Sequence, residues 1–549
     1  MGERSGVWIW NLAAIVLFCT MSWAYLDHGA SLTRDILGTT TDPTLMICFL
    51  AWWPSAVLHH AVHWYTYLVW QPVGHNLAWT TPVPLLALLG LPATLLGGPA
   101  LAYNLLILGA PVLGALSAYF LCLDLFTAPL AALTGGGVFG FSSFEAAQSL
   151  NHLDLAFTAF IPLIVMAVLR RVAGRIGRGP FVLWLCFLIA GQFFVAYEVL
   201  ATLCMFGAIA FLLRLWMLPE RRDALRALEQ DICCAAPVVA LLTALILLGI
   251  LRGCDAPHPE EWPFTFSADL LKFFLRTRAS LVGYFWPLRL VNKFSGGLEE
   301  QTAYVGLPSL VLLFVVLWGV RRKREFCLLF LMLGIILLAI LGPELQIGGN
   351  ETGIFLPWLF VMHLPLICNA LPGRCMVFAA LVMAMVIAGW VADVPHWRRV
   401  LVGGIVLISL LPAPHAVMKR PSLTAFEPGR IEQVTGQHPR LLILPFGSEG
   451  ASSYWQTENN LGFTQVGGYL GFLPARMPAY PVVWDLYSPI PRTDFASRFV
   501  EFCQQTGTQY AVVGPGTFSW QSTALAGLGW RQERVDGVTL FAVPDAAHG

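Results

Sequence analysis

Charge is what this chain lacks. Asp, Glu, Lys and Arg make up 12% of its 549 residues, against 57% hydrophobic residues and a mean hydropathy of +0.69. Soluble domains of ordinary size cannot bury that much apolar surface, so the chain reads as an integral membrane protein. Its net charge is zero, which removes any global electrostatic case for nucleic acid or acidic partners. The 12 cysteines contain no C-x-x-C pair and lie mostly in apolar stretches, so neither a zinc site nor a disulfide framework is indicated. G-x-S-x-G, P-loop and H-E-x-x-H signatures are missing, which leaves hydrolase, ATPase and zincin readings without support. No internal repeat or low-complexity tract stands out.

What the chain has is apolar runs approaching or reaching the roughly 20 residues that cross a bilayer. Eleven spans are expected, near 7–26, 101–121, 128–141, 154–169, 181–197, 199–216, 234–251, 304–320, 326–341, 375–393 and 400–413. The first is too long for a signal peptide and lacks a small-residue cleavage site, so it reads as a retained helix. Segment 82–97 is short and interrupted by Pro and Gly, and reads as interfacial or re-entrant.

Alternate linkers carry the arginines. Arg170, Arg171, Arg175 and Arg178 follow the fourth span; Arg214, Arg221, Arg222 and Arg226 flank the end of the sixth; Arg321, Arg322, Lys323 and Arg324 follow the eighth; Arg398 and Arg399 follow the tenth. By the positive-inside rule these linkers are cytoplasmic, which puts the N-terminus inside and the tail outside. After residue 413 the pattern changes to short aliphatic runs bounded by Gly and Pro, "RLLILPFG", "TQYAVVGP" and "VTLFAVP", with a helix-like "TDFASRFVEFCQQTG" among them. The expected architecture is an α-helical polytopic membrane domain, 1–413, followed by a small extracytoplasmic α/β domain, 414–549.

Ionisable groups near a membrane are expensive unless they work or are paired, and here they collect in the outward segments. The first loop holds Asp42, the second His152 and Asp154, and Glu198 sits at a turn between spans. The third loop holds Asp255, Glu260, Glu261, Lys272, Arg276, Arg278 and Glu300, and the next carries Arg374. Each has a structural alternative. Asp42 before Pro43 fits a helix N-cap, and Glu198 is either neutral or bonded to a neighbouring helix. His152 and Asp154 either cap the fourth span or contribute to a metal site. Lys272 and Arg276 fall on one helical face, which is either an interfacial amphipathic helix or, with Arg278, a phosphate cradle. The tryptophans of the first loop, Trp53 among them, form an interfacial belt or a platform for a sugar ring or isoprenoid chain.

Several stretches together carry a resemblance. An acidic "DP" opens a Trp-containing helix (Asp42–Trp53), followed in order by "YLVWQPVGHNLAWTTPVPLL", "PALAYNLLIL", "NHLDL", "EEQTAYVGLPSLVLL", "LGPELQIGG", "LPGRCMVFAALVMAM", "LLILPFG" and "GGYLGFLP". In this order the chain resembles the large bacterial multi-spanning membrane proteins of the GT-C glycosyltransferase fold. The resemblance implies a transferase of the bacterial cytoplasmic membrane. It would move a sugar from a polyprenyl-phosphate carrier to a lipid-linked glycan, polysaccharide or protein acceptor on the outer face. It also implies an essential aspartate in the first outer loop, matched by Asp42. Relatives read Gly-Asp-Pro where this chain has Thr41-Asp42-Pro43, and the paired acids common in that loop are missing. His152, Glu300 and Arg374 fall at recurrent positions of the family.

On this reading Asp42 removes or orients the acceptor proton, with inversion at the anomeric carbon. Lys272, Arg276, Arg278 or Arg374 stabilises the phosphate leaving group. Glu198 and His152 orient substrate or a divalent cation, magnesium or manganese, whose candidate ligands are Asp42, His152 and Asp154. The tail covers the site or binds the acceptor. A lipid or polysaccharide flippase and a non-catalytic membrane scaffold are the alternatives; a flippase favours inverted repeats and polar residues at mid-membrane depth.

Overall fold

In a bilayer an apolar run satisfies its backbone only by coiling into a helix or closing a barrel. Each of the eleven runs is helical in the computed structural model, which describes residues 2–39, 41–59, 65–252, 262–285, 289–320, 324–364 and 367–544. Trp64, Asp255, Glu260, Glu261, Arg321, Arg322 and Lys323 lie outside the described residues. Among the described residues seven helices are long and apolar enough to span: Trp8–Leu26, Pro99–Phe126, Leu153–Val172, Arg178–Val195, Tyr197–Met217, Pro219–Ile250 and Pro372–Asp393. The other four runs form helices of 12, 14, 17 and 15 residues, at Pro129–Gly140, Leu307–Val320, Arg324–Ile340 and His396–Leu410. Segment 82–97 forms the helix Pro84–Gly97, whose 14 residues extend about 21 Å, less than a hydrocarbon core.

The chain divides into two compact units. The first comprises Met1–Ser31, Asn104–Thr243 and His258–Val417. Its centre is the helix Met376–Asp393, apolar on all sides and therefore buried on nearly all of them. Helix Pro129–Gly140 packs against it through glycines: a Cβ on Gly135 would lie 3.1 Å from that of Ala388 and 3.3 Å from the Ala384 carbonyl. Small residues allow this close backbone approach, the usual helix-packing device in membranes. At the arginine-bearing ends, Arg170 and Arg175 both pair with Asp124, and Arg171 and Arg178 with Asp231.

The second unit comprises Leu32–Tyr103, Ala244–Pro257 and Met418–Gly549. It holds a five-stranded sheet in the order Gln532–Val535, Val538–Ala542, Tyr510–Val513, Arg440–Leu444, Thr464–Gln465. Arg440–Leu444 runs parallel to both neighbours, and Val538–Ala542 antiparallel to both of its own. Helix Phe495–Thr506 buries Phe495, Phe499, Phe502, Cys503 and Thr506, one stripe of a 3.6-residue period. The sequence alone divides the chain at residue 413, whereas here the first loop and the tail share one unit. The physical reason is backbone pairing at the edge of the sheet: Gln465 N donates to Leu68 O, Gln71 N to Gln465 O and Trp70 N to Gly467 O, each over 2.9 Å. An edge strand with open amides and carbonyls recruits such a segment, and 68–71 supplies it.

Candidate functional site

Asp42 was a candidate cap, and the structure corrects that expectation. It is the first residue of helix Asp42–Leu58, and the cap position belongs to Thr41, whose side chain makes no capping bond. The amides of Thr44 and Leu45 both donate to the Thr41 carbonyl, at 3.0 and 3.1 Å. Instead Asp42 Oδ1 accepts a 2.8 Å hydrogen bond from the Tyr469 hydroxyl. The carboxylate is half-buried in the first helical turn, where the helix dipole favours negative charge. Tyr469 is itself fixed by Ser453, whose Oγ donates to its carbonyl and accepts from its amide. Burial, then the charge of Asp42, raises the Tyr469 phenol above its ordinary ionisation range, so it remains a donor. Trp53 Nε1 donates to the Pro82 carbonyl over 2.6 Å, and its ring meets Trp52 edge-on at 4.9 Å. It thereby ties this helix to the start of the next.

In the first unit, four of the remaining candidates come together around Arg374. This arginine sits on the turn Pro372–Cys375 at the head of the central helix. Its Nη1 donates to Glu198 Oε2 over 2.6 Å and its Nη2 to Glu300 Oε1 over 2.9 Å. Of the alternatives for Glu198, the bonded one holds; its Oε1 also accepts from the Leu371 amide at 3.1 Å. Asp154 is buried and interacts electrostatically with His152, Arg374 and Glu198. His152 Nδ1 lies 2.7 Å from Gln148 Oε1, and Gln148 Nε2 donates to the Glu299 carbonyl at 3.0 Å. Three carboxylates therefore surround one guanidinium. Glu300 Oε2 is buried and has no hydrogen-bond partner among the described residues, an arrangement that calls for a ligand or water.

The basic cluster differs from expectation. Only Leu270–Phe273 is helical, as a four-residue 3-10 turn, so Lys272, Arg276 and Arg278 share no helical face. Asp269 caps the start of this turn, accepting from the amide of Leu271 and also from that of Gly349. Lys272 is drawn inside, where it donates to the Ser295 carbonyl at 3.0 Å and lies 5.6 Å from the Phe294 ring centre. Burial pushes its pKa down to about 8, against the opposing charges of Asp269 and Glu300. Arg276 and Arg278 are exposed. The amphipathic helix and the three-residue cradle are both set aside.

No group of three or more His, Cys, Asp or Glu among the described residues is placed to hold a metal ion. His152 Nδ1 lies against Gln148 Oε1, and Asp154 interacts electrostatically with His152 and then with Arg374. No step below passes through a metal ion.

Reasoning from sequence missed Tyr469 and Gln148, and placed Glu145 in the second outward segment without a role. Tyr469 stands in "GGYLGFLP", 427 positions from its partner, where no local periodicity marks it. Glu145 is fully buried, and burial raises its carboxyl well above the ordinary range. A carboxylate placed among apolar residues was the available signal.

No protein-family profile matches the sequence, and no curated protein is similar to it in sequence. Solved structures are similar in fold. A mutant form of arabinofuranosyltransferase AftD from mycobacteria superposes with a TM-score of 0.58 at 14% identity, covering 97% of this chain and 41% of AftD. The chain thus spans about two fifths of AftD. The archaeal oligosaccharyltransferase AglB from Archaeoglobus fulgidus, in complex with an inhibitory peptide and a dolichol-phosphate, gives a TM-score of 0.50 at 12% identity. That match covers 98% of this chain and 75% of AglB. The chain has the GT-C fold of these membrane glycosyltransferases.

Proposed function

We propose that the chain is a membrane glycosyltransferase that moves a sugar from a polyprenyl-phosphate carrier to a hydroxyl of a glycan, lipid or protein. The reading places it in the bacterial cytoplasmic membrane with eleven spans, arginine linkers inside and the tail outside. The observation that carries it is a half-buried carboxylate, Asp42, in the first loop of a GT-C fold and oriented by a tyrosine that stays protonated. The dolichol-phosphate in the AglB complex supports a polyprenyl-phosphate donor here.

In the proposed reaction Asp42 takes the proton of the acceptor hydroxyl as its oxygen bonds to the anomeric carbon. The bond from that carbon to the carrier phosphate breaks, and its electron pair leaves on the phosphate. A single displacement inverts the anomeric centre. The phosphate is a weak base and needs a cation more than an acid. Among the cations of the first unit, Arg374 is already shared by two carboxylates, whereas Arg276 and Arg278 are exposed. Within the first unit Glu300 Oε2 and His152 are candidate sugar contacts, with Glu198 and Lys272 holding their surroundings in place, and Trp53 is a candidate in the second.

Asp42→Asn tests the assignment. An amide oxygen still accepts from Tyr469, so folding is preserved while the base is lost. Transfer from a labelled undecaprenyl-phosphate sugar is expected to fall by roughly a hundred-fold or more, the usual worth of a general base. Full activity in the Asn variant would reject Asp42 as the base.

A further inference from the structure

A second site lies at the arginine-bearing end of the first unit. A groove there is lined by Arg178, Arg226, Glu229, Gln230, Cys233 and Cys234. Five of these recur along helix Arg222–Arg252 at spacings of three and four, so they form one face. Arg178 opens helix Arg178–Val195, whose preceding Gly177 offers no side-chain cap.

Both helices change character at this level. Helix Arg222–Arg252 is polar through Asp231, then exposes Val238, Leu241 at 77% and Leu245 at 62%. The other exposes Leu183 at 73%, Trp184 and Phe187 soon after Arg178. Side chains this apolar and this exposed on spanning helices face acyl chains, which puts the groove at headgroup depth.

The charges suit an anion. Buried Asp231 is shared by Arg171 and Arg178, at 2.6 and 2.9 Å, so that pairing retains a positive surplus. Arg226 makes only a 3.6 Å contact with the solvated Asp223, a pair of little energetic worth. Glu229 is the one acid lining the groove. We propose that this groove binds the phosphate of an anionic membrane phospholipid through Arg178 and Arg226, with its acyl chains along the Leu183–Phe187 and Leu241–Leu245 rows. Basic pockets between spanning helices on the cytoplasmic side recognise such headgroups, and guanidinium matches phosphate geometry. The inference does not depend on the proposed transfer reaction.

The flanking thiols report on it. The full-length chain is placed in nanodiscs of phosphatidylcholine, with or without phosphatidylglycerol, and maleimide alkylation of Cys233 and Cys234 is followed by peptide mapping. Cys368 serves as the reference. Phosphatidylglycerol is expected to slow both reactions several-fold and leave Cys368 unchanged, and Arg226→Gln is expected to abolish the effect. Native mass spectrometry should show phosphatidylglycerol retained by the wild type in preference to phosphatidylcholine, and less so by Arg226→Gln. Equal rates in the two nanodiscs, or protection unchanged in the variant, would overturn the proposal. So would equal protection of the detergent-purified chain by inorganic phosphate, which would make the ligand a soluble anion.

Discussion

The Tyr469 hydroxyl donates to Asp42 Oδ1 across 2.8 Å, joining the tail to the first loop at the residue proposed as the base. The contact rests on two others: residues 68–71 pairing with the edge of the tail sheet, and Ser453 clamping the Tyr469 backbone. One consequence is rotamer control. A carboxylate on the first turn of a helix has a free χ1 unless something fixes it, and the phenol is one group that holds it.

Tyr469→Phe keeps the ring and removes the donor. A hydrogen bond to a charged group contributes about 1.5–3 kcal/mol. On the proposed mechanism kcat should drop by roughly ten- to a hundred-fold with KM little changed. A melting temperature within a few degrees of wild type would separate positioning from unfolding. Unchanged kcat would show that Asp42 needs no orientation from the tail.

Arg374→Met should destabilise the protein by about 3 kcal/mol or more, because it strands Glu198 and the buried Glu300 without their partner. Arg374→Lys should recover only part of this, since an ammonium cannot reproduce the forked contacts to two carboxylates. Adding Glu198→Gln and Glu300→Gln to the Met variant should restore much of the loss. Thermal unfolding in detergent, read by tryptophan fluorescence, checks the series; a triple variant no more stable than Arg374→Met would show that charge is not the cause.

Gly136→Ala should cost about 1–3 kcal/mol. The added Cβ would lie 2.6 Å from the Ala115 carbonyl and 2.9 Å from Phe18 Cζ, and a backbone oxygen cannot yield as a side chain can. Gly207→Ala meets nothing within 4 Å and should instead stabilise its helix by about 1 kcal/mol through propensity alone. Opposite shifts in melting temperature are the expected result.

The helices were legible because hydrophobic runs of this length admit one backbone solution. The strand at Arg440–Leu444 and the stripe on Phe495–Thr506 were legible from local period. The meeting of Glu198, Glu300 and Arg374 was suggested only by their lying near ends of apolar segments expected to face the same side, since no spacing links residues 74 to 176 positions apart. Lys272 was misread for a clear reason. Its neighbours have helical spacing, but the helix stops after the single 3-10 turn Leu270–Phe273, which Asp269 caps at its start. The Asp42 cap failed because Asp42 is already the first helical residue and the cap position falls to Thr41. Element boundaries of this kind depend on tertiary context that a sequence window does not contain.

Lys272 gives a pH signature. Its folded pKa of about 8 lies below the ordinary 10.5, chiefly through burial, with Asp269 and Glu300 the charges that face it. Between those values the unfolded chain holds a proton that the folded chain has released, so this residue's contribution to stability rises with pH through that window. Below pH 8 both states are protonated and the buried charge costs on the order of 3 kcal/mol relative to high pH. Lys272→Met removes the titration. The wild-type melting temperature should therefore climb relative to the Met variant between pH 7.5 and pH 10. A difference between the two that stays flat across that range would show that Lys272 keeps its proton in the folded state, held by Asp269 and Glu300 more strongly than burial opposes.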